Sequence, residues 1–389
     1  MRIEHGIAAR ATPIFHSFWI AAFDGTDHLA PLHALDADAY RRNVVSDYRH
    51  ARDAGIRCVR ENVGWRTGAA RETFDFRAAR VRAECATEVG VQIVWTLFRG
   101  SWPDDIDVVS DHVVESFRAF AEAAARNLCE AGNDEAPVYT PIDEISFTSW
   151  ALAETSLFGP NRTELRGRAD EIRRRLVRAA IAGCDAILEV APDARFVHRE
   201  AALTTATFDA PLRGDAQFAS WDMLTGRLEP ELGGHPRYLD AADIHWHGGE
   251  PSRGIRGDAH ETSPAPHWRG ALSRLIHEVH ARYRCPVAVS ETNRASAGRT
   301  HWLHELGEAI GDAIEQGDAV IGASLCRIVE RPAWEDPRYW RARRLWDALL
   351  AQDEGPHAAN SAYEQALSAL RARIDPLLTD SQRRRQVRS

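Results

Sequence analysis

The chain has 389 residues, enough to bury a full core without disulfide or metal staples. Its formal net charge of −9 and pI near 6.0 argue against nucleic acid or an anionic membrane as the main partner. Its 48 basic side chains other than histidine are all arginine, so chemistries that need a lysine amine (Schiff-base aldolases, pyridoxal-phosphate enzymes, P-loop nucleotidases) are excluded.

Helical and strand patterns alternate along the chain. Ile14 to Ala21 is apolar and aromatic and reads as the first strand. Ala39 to Gly55 has helical spacing and closes on Gly55, a C-terminal stop. Ile56 to Val63 is a strand with Arg60, Glu61 and Asn62 toward its end. Phe76 to Val89 is a helix before Gly90, and Gln92 to Leu97 the third strand. Asp111 to Glu130 is a long amphipathic helix, Ala136 to Ile145 strand four, and Arg166 to Val190 another helix. Ala194 to His198 is a short strand, and Gln217 to Leu228 fits a helix. Ala241 to His247 is strand six, followed by a Gly-, Pro-, Ser- and His-rich loop, Gly248 to Pro266, and a helix from Trp268 to Arg282. Val287 to Glu291 is strand seven, Leu303 to Gln316 a helix, Ala319 to Leu325 strand eight, and Pro337 to Leu350 the last barrel helix. One further helix, Ala362 to Arg373, precedes a basic tail from Arg383 to Arg388.

Eight such alternations predict an α/β chain with a single (β/α)8 TIM barrel over 1–352, and a C-terminal helix and tail over 353–389. An open dinucleotide-binding sheet would show G-x-G-x-x-G after its first strand, and that motif is absent there. The six cysteines are far apart without metal-ligand spacing, and are expected to be free thiols. With neither a signal-peptide pattern nor an apolar run of membrane-spanning length, the expected compartment is the cytoplasm.

In such a barrel, polar residues at the C-terminal strand ends converge on one pocket. Two segments stand out: Thr140-Pro141-Ile142-Asp143-Glu144 and Val289-Ser290-Glu291-Thr292-Asn293. Carboxylates on strands four and seven can face each other across the mouth. One can protonate a leaving oxygen while the other attacks carbon, as in a retaining glycosidase. The pair His245-x-His247 has alternate spacing on strand six, so both rings could meet one metal, with His198 and Glu291 beside them. That alternative is a metal-dependent barrel hydrolase or isomerase. Against it, the metal-dependent amidohydrolases carry their histidine pair on the first strand, and this chain has no lysine for a carbamate bridge.

In order along the chain, these segments resemble glycoside hydrolase clan A, closest to the family 1 β-glucosidase-like proteins. Phe18-Trp19-Ile20-Ala21 with Gly25-Thr26-Asp27-His28 is similar to the first-strand region of a divergent bacterial branch. Arg57-Cys58-Val59-Arg60-Glu61-Asn62-Val63-Gly64-Trp65 resembles its second strand, and Trp95-Thr96-Leu97 with Trp102-Pro103-Asp104-Asp105 its third. The resemblance implies Glu144 as general acid/base, Glu291 as nucleophile and Arg60 as its support. It implies a small glycoside as substrate and no cofactor. Asp143, Arg99, Trp102, His245, His247, Arg327 and Trp334 are the expected substrate-binding positions. The departures are as informative. Asp143 replaces the family's usual asparagine, and its charge would favour the protonated form of Glu144. Arg99 stands where a sugar-binding histidine is usual, and Arg327 where a tryptophan platform is common. Both would suit an anionic group. A non-hydrolytic tailoring enzyme or sugar-binding barrel for an unusual glycoside is therefore the second expectation.

Overall fold

The computed structural model describes residues 13–23, 37–65, 74–99, 106–132, 136–155, 163–202, 217–246, 268–291, 299–326, 331–332, 340–341 and 358–379. Eight parallel strands close into a barrel in chain order. They are β1 (Trp19–Ala22), β2 (Cys58–Asn62), β3 (Gln92–Phe98), β4 (Val138–Ile142), β5 (Arg195–Ala202), β6 (Ala241–Trp246), β7 (Val287–Glu291) and β8 (Val320–Cys326). The ring closes where β1 pairs with β8, Trp19 opposite Ala323 and Ala22 opposite Cys326. Around it run α1 (Ala37–Asp53), α2 (Arg77–Val89), α3 (His112–Ala131), α4 (Ile145–Glu154), α5 (Ala169–Val190), α6 (Ala219–Leu224), α7 (Trp268–Tyr283) and α8 (Arg299–Glu315). This is the expected (β/α)8 architecture. Among the described residues, no helix is long and apolar enough to cross a membrane.

Strand alternation divides the packing into two cores. Outward residues such as Val59, Ile93, Tyr139, Phe196, Ile244 and Val289 pack under the helices. Inward residues Ile20, Cys58, Val94, Val138, Val197, Ala241 and Ala288 form a separate apolar plug, capped by Phe15. Gly322 lies against the plug, where space is tight: a Cβ there would lie 3.0 Å from Phe15 Cδ2 and 3.1 Å from Ile20 Cδ1, so those side chains would have to shift by a few tenths of an ångström.

A further helix, α9 (Ala358–Ile374), lies against α8. Leu370 and Arg373 approach Gly307 and Gly311 closely, and Arg373 meets Glu308, Asp312 and Glu315 at 3.5, 3.5 and 2.9 Å. The same segment reaches the first strand. Trp19 Nε1 donates to Asp375 Oδ1 at 3.1 Å, and Arg371 lies over the Trp19 ring while donating to the Ala54 carbonyl oxygen at 2.6 Å.

Three elements differ from the sequence reading. β5 continues four residues past His198, to Ala202. Residues Ile145–Glu154 form α4, which had no helical signature because it is buried nearly all round and shows no polar stripe. Within the stretch expected to be the last barrel helix, Trp340–Arg341 pairs antiparallel with Arg331–Pro332. The remainder of that stretch lies outside the described residues.

Candidate active site

Two residues further along each strand, the barrel interior turns polar. Above the plug, Arg60, Thr96, Thr140, Arg199, Asp243, Ser290 and Ser324 are all buried. Because the side-chain period of a strand is two, each of the first six stands directly above a plug residue. Charges in such a ring need partners, and they have them. Arg60 Nη2 donates to Asp243 Oδ2, and Ser290 Oγ lies 2.8 Å from both Asp243 oxygens. This network ties β2 to β6 and β7.

A second network ties β3, β4 and β5. Arg199 forks onto Asp143, through Nε at 2.6 Å and through Nη2. Arg99 Nε approaches Asp143 Oδ2 at 3.2 Å, and the Arg99 side chain is 11% exposed. Asp143 is thus compensated by two guanidinium groups, and Arg99 has a carboxylate partner within the protein. The expected push of Asp143 on the proton of Glu144 is offset accordingly.

Glu144 begins α4 with φ 46° and ψ 60°, a left-handed backbone that costs a non-glycine residue about 1–3 kcal/mol. Its N–H donates to the Arg199 carbonyl oxygen at 3.0 Å, and its own carbonyl oxygen accepts from the Thr148 N–H at 2.8 Å. Such strain recurs where a fold fixes a working side chain. The residue is 7% exposed, and its Oε1 meets Nδ1 of His245, reaching from β4 to β6. His245 pairs in register with Ser290, and Trp246 with Glu291. The Glu291 backbone therefore stands on the strand beside His245, one residue further toward the mouth. β4 and β7 stand three strands apart in the ring, and the segments bearing the two glutamates both lie at the C-terminal end of the barrel. The Glu291 side chain lies outside the described residues, as do Trp102, His247, Arg327 and Trp334.

His198 does not join His245. It lies on the opposite, helix-facing side of β5, where Trp221 Nε1 donates to its carbonyl oxygen at 3.0 Å. Burial pushes its imidazole down to about 4. Among the described residues, no three His, Cys, Asp or Glu side chains gather as a metal site. On the same outer face, Glu200 is buried, and its Oε2 accepts from the Ser146 N–H at 3.0 Å. Sequence reasoning missed Arg199 and Glu200 because β5 was ended too early. The alternation Val197, Arg199, Ala201 was the available signal. It missed Asp243 because an acid inside a strand makes sense only once Arg60 is known to face it.

These features define a (β/α)8 TIM barrel, with one glutamate following β4 and another ending β7. No protein-family model and no curated protein matches the chain in sequence. Solved structures do match in fold. The family 1 β-glucosidase from Thermotoga maritima aligns over 85% of this chain and 91% of its own, with TM-score 0.59 and 11% identity. The Thermotoga maritima β-glucosidase in complex with castanospermine gives 0.60 at 10% identity, over 85% and 92%. A hyperthermophilic β-glucosidase mutant gives 0.60 at 14%, over 83% and 93%. The chain shares the barrel fold of these β-glucosidases.

Proposed function

We propose that the barrel is a retaining glycoside hydrolase that cleaves a β-glycosidic bond by double displacement. The observation that carries this reading is the contact of buried, backbone-strained Glu144 with His245, in register beside the strand that ends in Glu291. Glu291 attacks the anomeric carbon, and the glycosidic bond to the leaving oxygen breaks as the covalent glycosyl-enzyme forms. Glu144 gives its proton to that oxygen, then takes one from the water that releases the sugar. A His245 Nδ1–H donating to Oε1 leaves Oε2 to carry the working proton. Arg60, anchored by Asp243, holds positive charge in the ring below the nucleophile's strand end. The substrate is a small glycoside, and the reaction needs no cofactor.

The test is turnover of aryl β-glycosides by the wild type, Glu144→Gln and Glu291→Gln. Each substitution should lower kcat/KM by at least about 10³-fold with the fold intact by circular dichroism. Full activity in Glu291→Gln refutes the assignment. A wild type that binds glycosides tightly without turning them over supports a non-hydrolytic sugar-binding barrel instead, a reading favoured by the pairing of Arg99 with Asp143 in place of a neutral sugar-binding pair.

A further inference from the structure

Glu144 adopts a backbone that its own side chain disfavours, so its surroundings impose it. Two consecutive residues of β5 do this. Arg199 accepts the Glu144 N–H on its carbonyl oxygen, and Glu200 accepts the Ser146 N–H on Oε2, both at 3.0 Å. The first and third residues of the turn are thereby fixed to neighbouring positions on the next strand. Glu200 is 2% exposed and, by strand alternation, faces the helices rather than the barrel mouth. It touches no substrate there and acts through the first turn of α4.

The charges around Glu200 are few. Glu144, whenever it is ionised, presents a like charge from the end of β4, and Arg173 presents an opposite one from α5, with its Nη1 bound to Asp170 at 3.0 Å. The Ser146 hydroxyl, on α4, meets the Ser220 hydroxyl of α6 at 2.7 Å. Asp222 of α6 is tied to Arg282 and Tyr283 of α7. His198, two residues back on the same face, is held neutral by burial at neutral pH. Burial pushes the Glu200 carboxyl up to about 8, and the Glu144 charge adds to the rise against the pull of the Ser146 bonds and Arg173.

We propose that Glu200 is a positioning residue for Glu144: its carboxyl group, on the outer face of β5, holds the first turn of α4, and with it the left-handed Glu144 backbone, at the barrel mouth. At pH 6.5 the burial of that group keeps it neutral. This rests on the reading of Glu144 as the acid/base.

The test compares full-length wild type, Glu200→Gln and Glu200→Ala. Glutamine copies the shape of the protonated acid and keeps an oxygen for the Ser146 N–H; alanine removes both. Infrared spectra of the wild type should show a protonated-carboxyl band at pH 6.5 that fades near pH 8 and that Glu200→Gln lacks. On an aryl β-glycoside at pH 6.5, Glu200→Gln should stay within about 3-fold of wild-type kcat. Glu200→Ala should lose about 10- to 100-fold in kcat with KM within about 2-fold, because a displaced acid harms the chemical step rather than binding. A wild type without the band, or a Glu200→Ala enzyme with wild-type kcat, overturns the proposal. Should Glu200→Ala fail to fold, Glu200→Gln decides, and a kcat loss beyond about 10-fold in that neutral mimic overturns it. If the wild type turns over no glycoside, the hydrolase reading fails on its own. The crystal structure of Glu200→Ala then tests the positioning role, and a Glu144 still left-handed overturns it.

Discussion

Replacing Asp243 with alanine strands a positive charge inside the barrel. Arg60 and Asp243 both have fully buried side chains. Among the described residues, Arg60 Nε and Nη1 have no hydrogen-bond partner, so the bond from Nη2 to Asp243 is the compensation available to the guanidinium. Removing one member of such a pair costs about 3–5 kcal/mol, close to three powers of ten in the folding equilibrium at its midpoint. Asparagine keeps an acceptor oxygen but loses the charge, and should cost about half as much. The combined Arg60→Met, Asp243→Leu variant removes both charges and fills the space, and should return to within about 2 kcal/mol of wild type. Equilibrium urea unfolding at pH 7, followed by tryptophan fluorescence, gives the midpoints and the coupling energy. A loss below about 1 kcal/mol in Asp243→Ala, or a double variant as unstable as that single one, refutes the view that a desolvated ion pair organises the polar ring.

Acid sensitivity should trace in part to His198. The unfolded imidazole binds a proton as pH falls below about 6.5, whereas the folded one does so only near 4, so stability is complete above that window and lost on descending through it. The loss amounts to about 3 kcal/mol between the two values. His198→Asn should flatten the slope of urea midpoint against pH, and an unchanged slope counts against the burial argument. Glu200 works in the opposite direction. Its proton is kept in the folded state up to about 8, so its contribution is complete below about 4.5 and disappears as pH rises through 8. Glu200→Gln should remove that alkaline decline. Gly234→Ala should lower the melting temperature sharply, because its Cβ would lie 1.9 Å from the Met223 carbonyl oxygen and at least about 1–3 kcal/mol of overpacking strain follows. Unaltered melting would mean that the turn after α6 can yield.

The barrel was legible because several strand–helix units carry their own local signal, an apolar run followed by an amphipathic stretch closing on glycine, as at Gly55, Gly90 and Gly317. Glu144 was legible for a related reason: an acid just past a strand, beside Asp143, breaks the apolar pattern. What was not legible depends on contacts between distant positions. Arg60 meets Asp243 across 183 residues, and Arg199 meets Asp143 across 56. Isolated, Asp243 in a strand reads as a poor fit, and Arg199 as the exposed end of one. Their burial makes sense only after closure aligns them at one height. Strand alternation could have placed Glu200 on the outer face, but not its role, since its partner is a backbone N–H that any residue at 146 except proline could supply.

The seam of the barrel joins its earliest strand to its latest, and α9, which covers Trp19 at that seam, is translated after both. A chain emerging from a ribosome must therefore hold two unmated edges, those of β1 and β7, until β8 arrives, and only afterwards receive the segment that shields the first indole from water. Cellular production of this barrel is thus a race between completing synthesis and exposing sticky edges. Helpers that bind nascent chains should act on the stretch before β8.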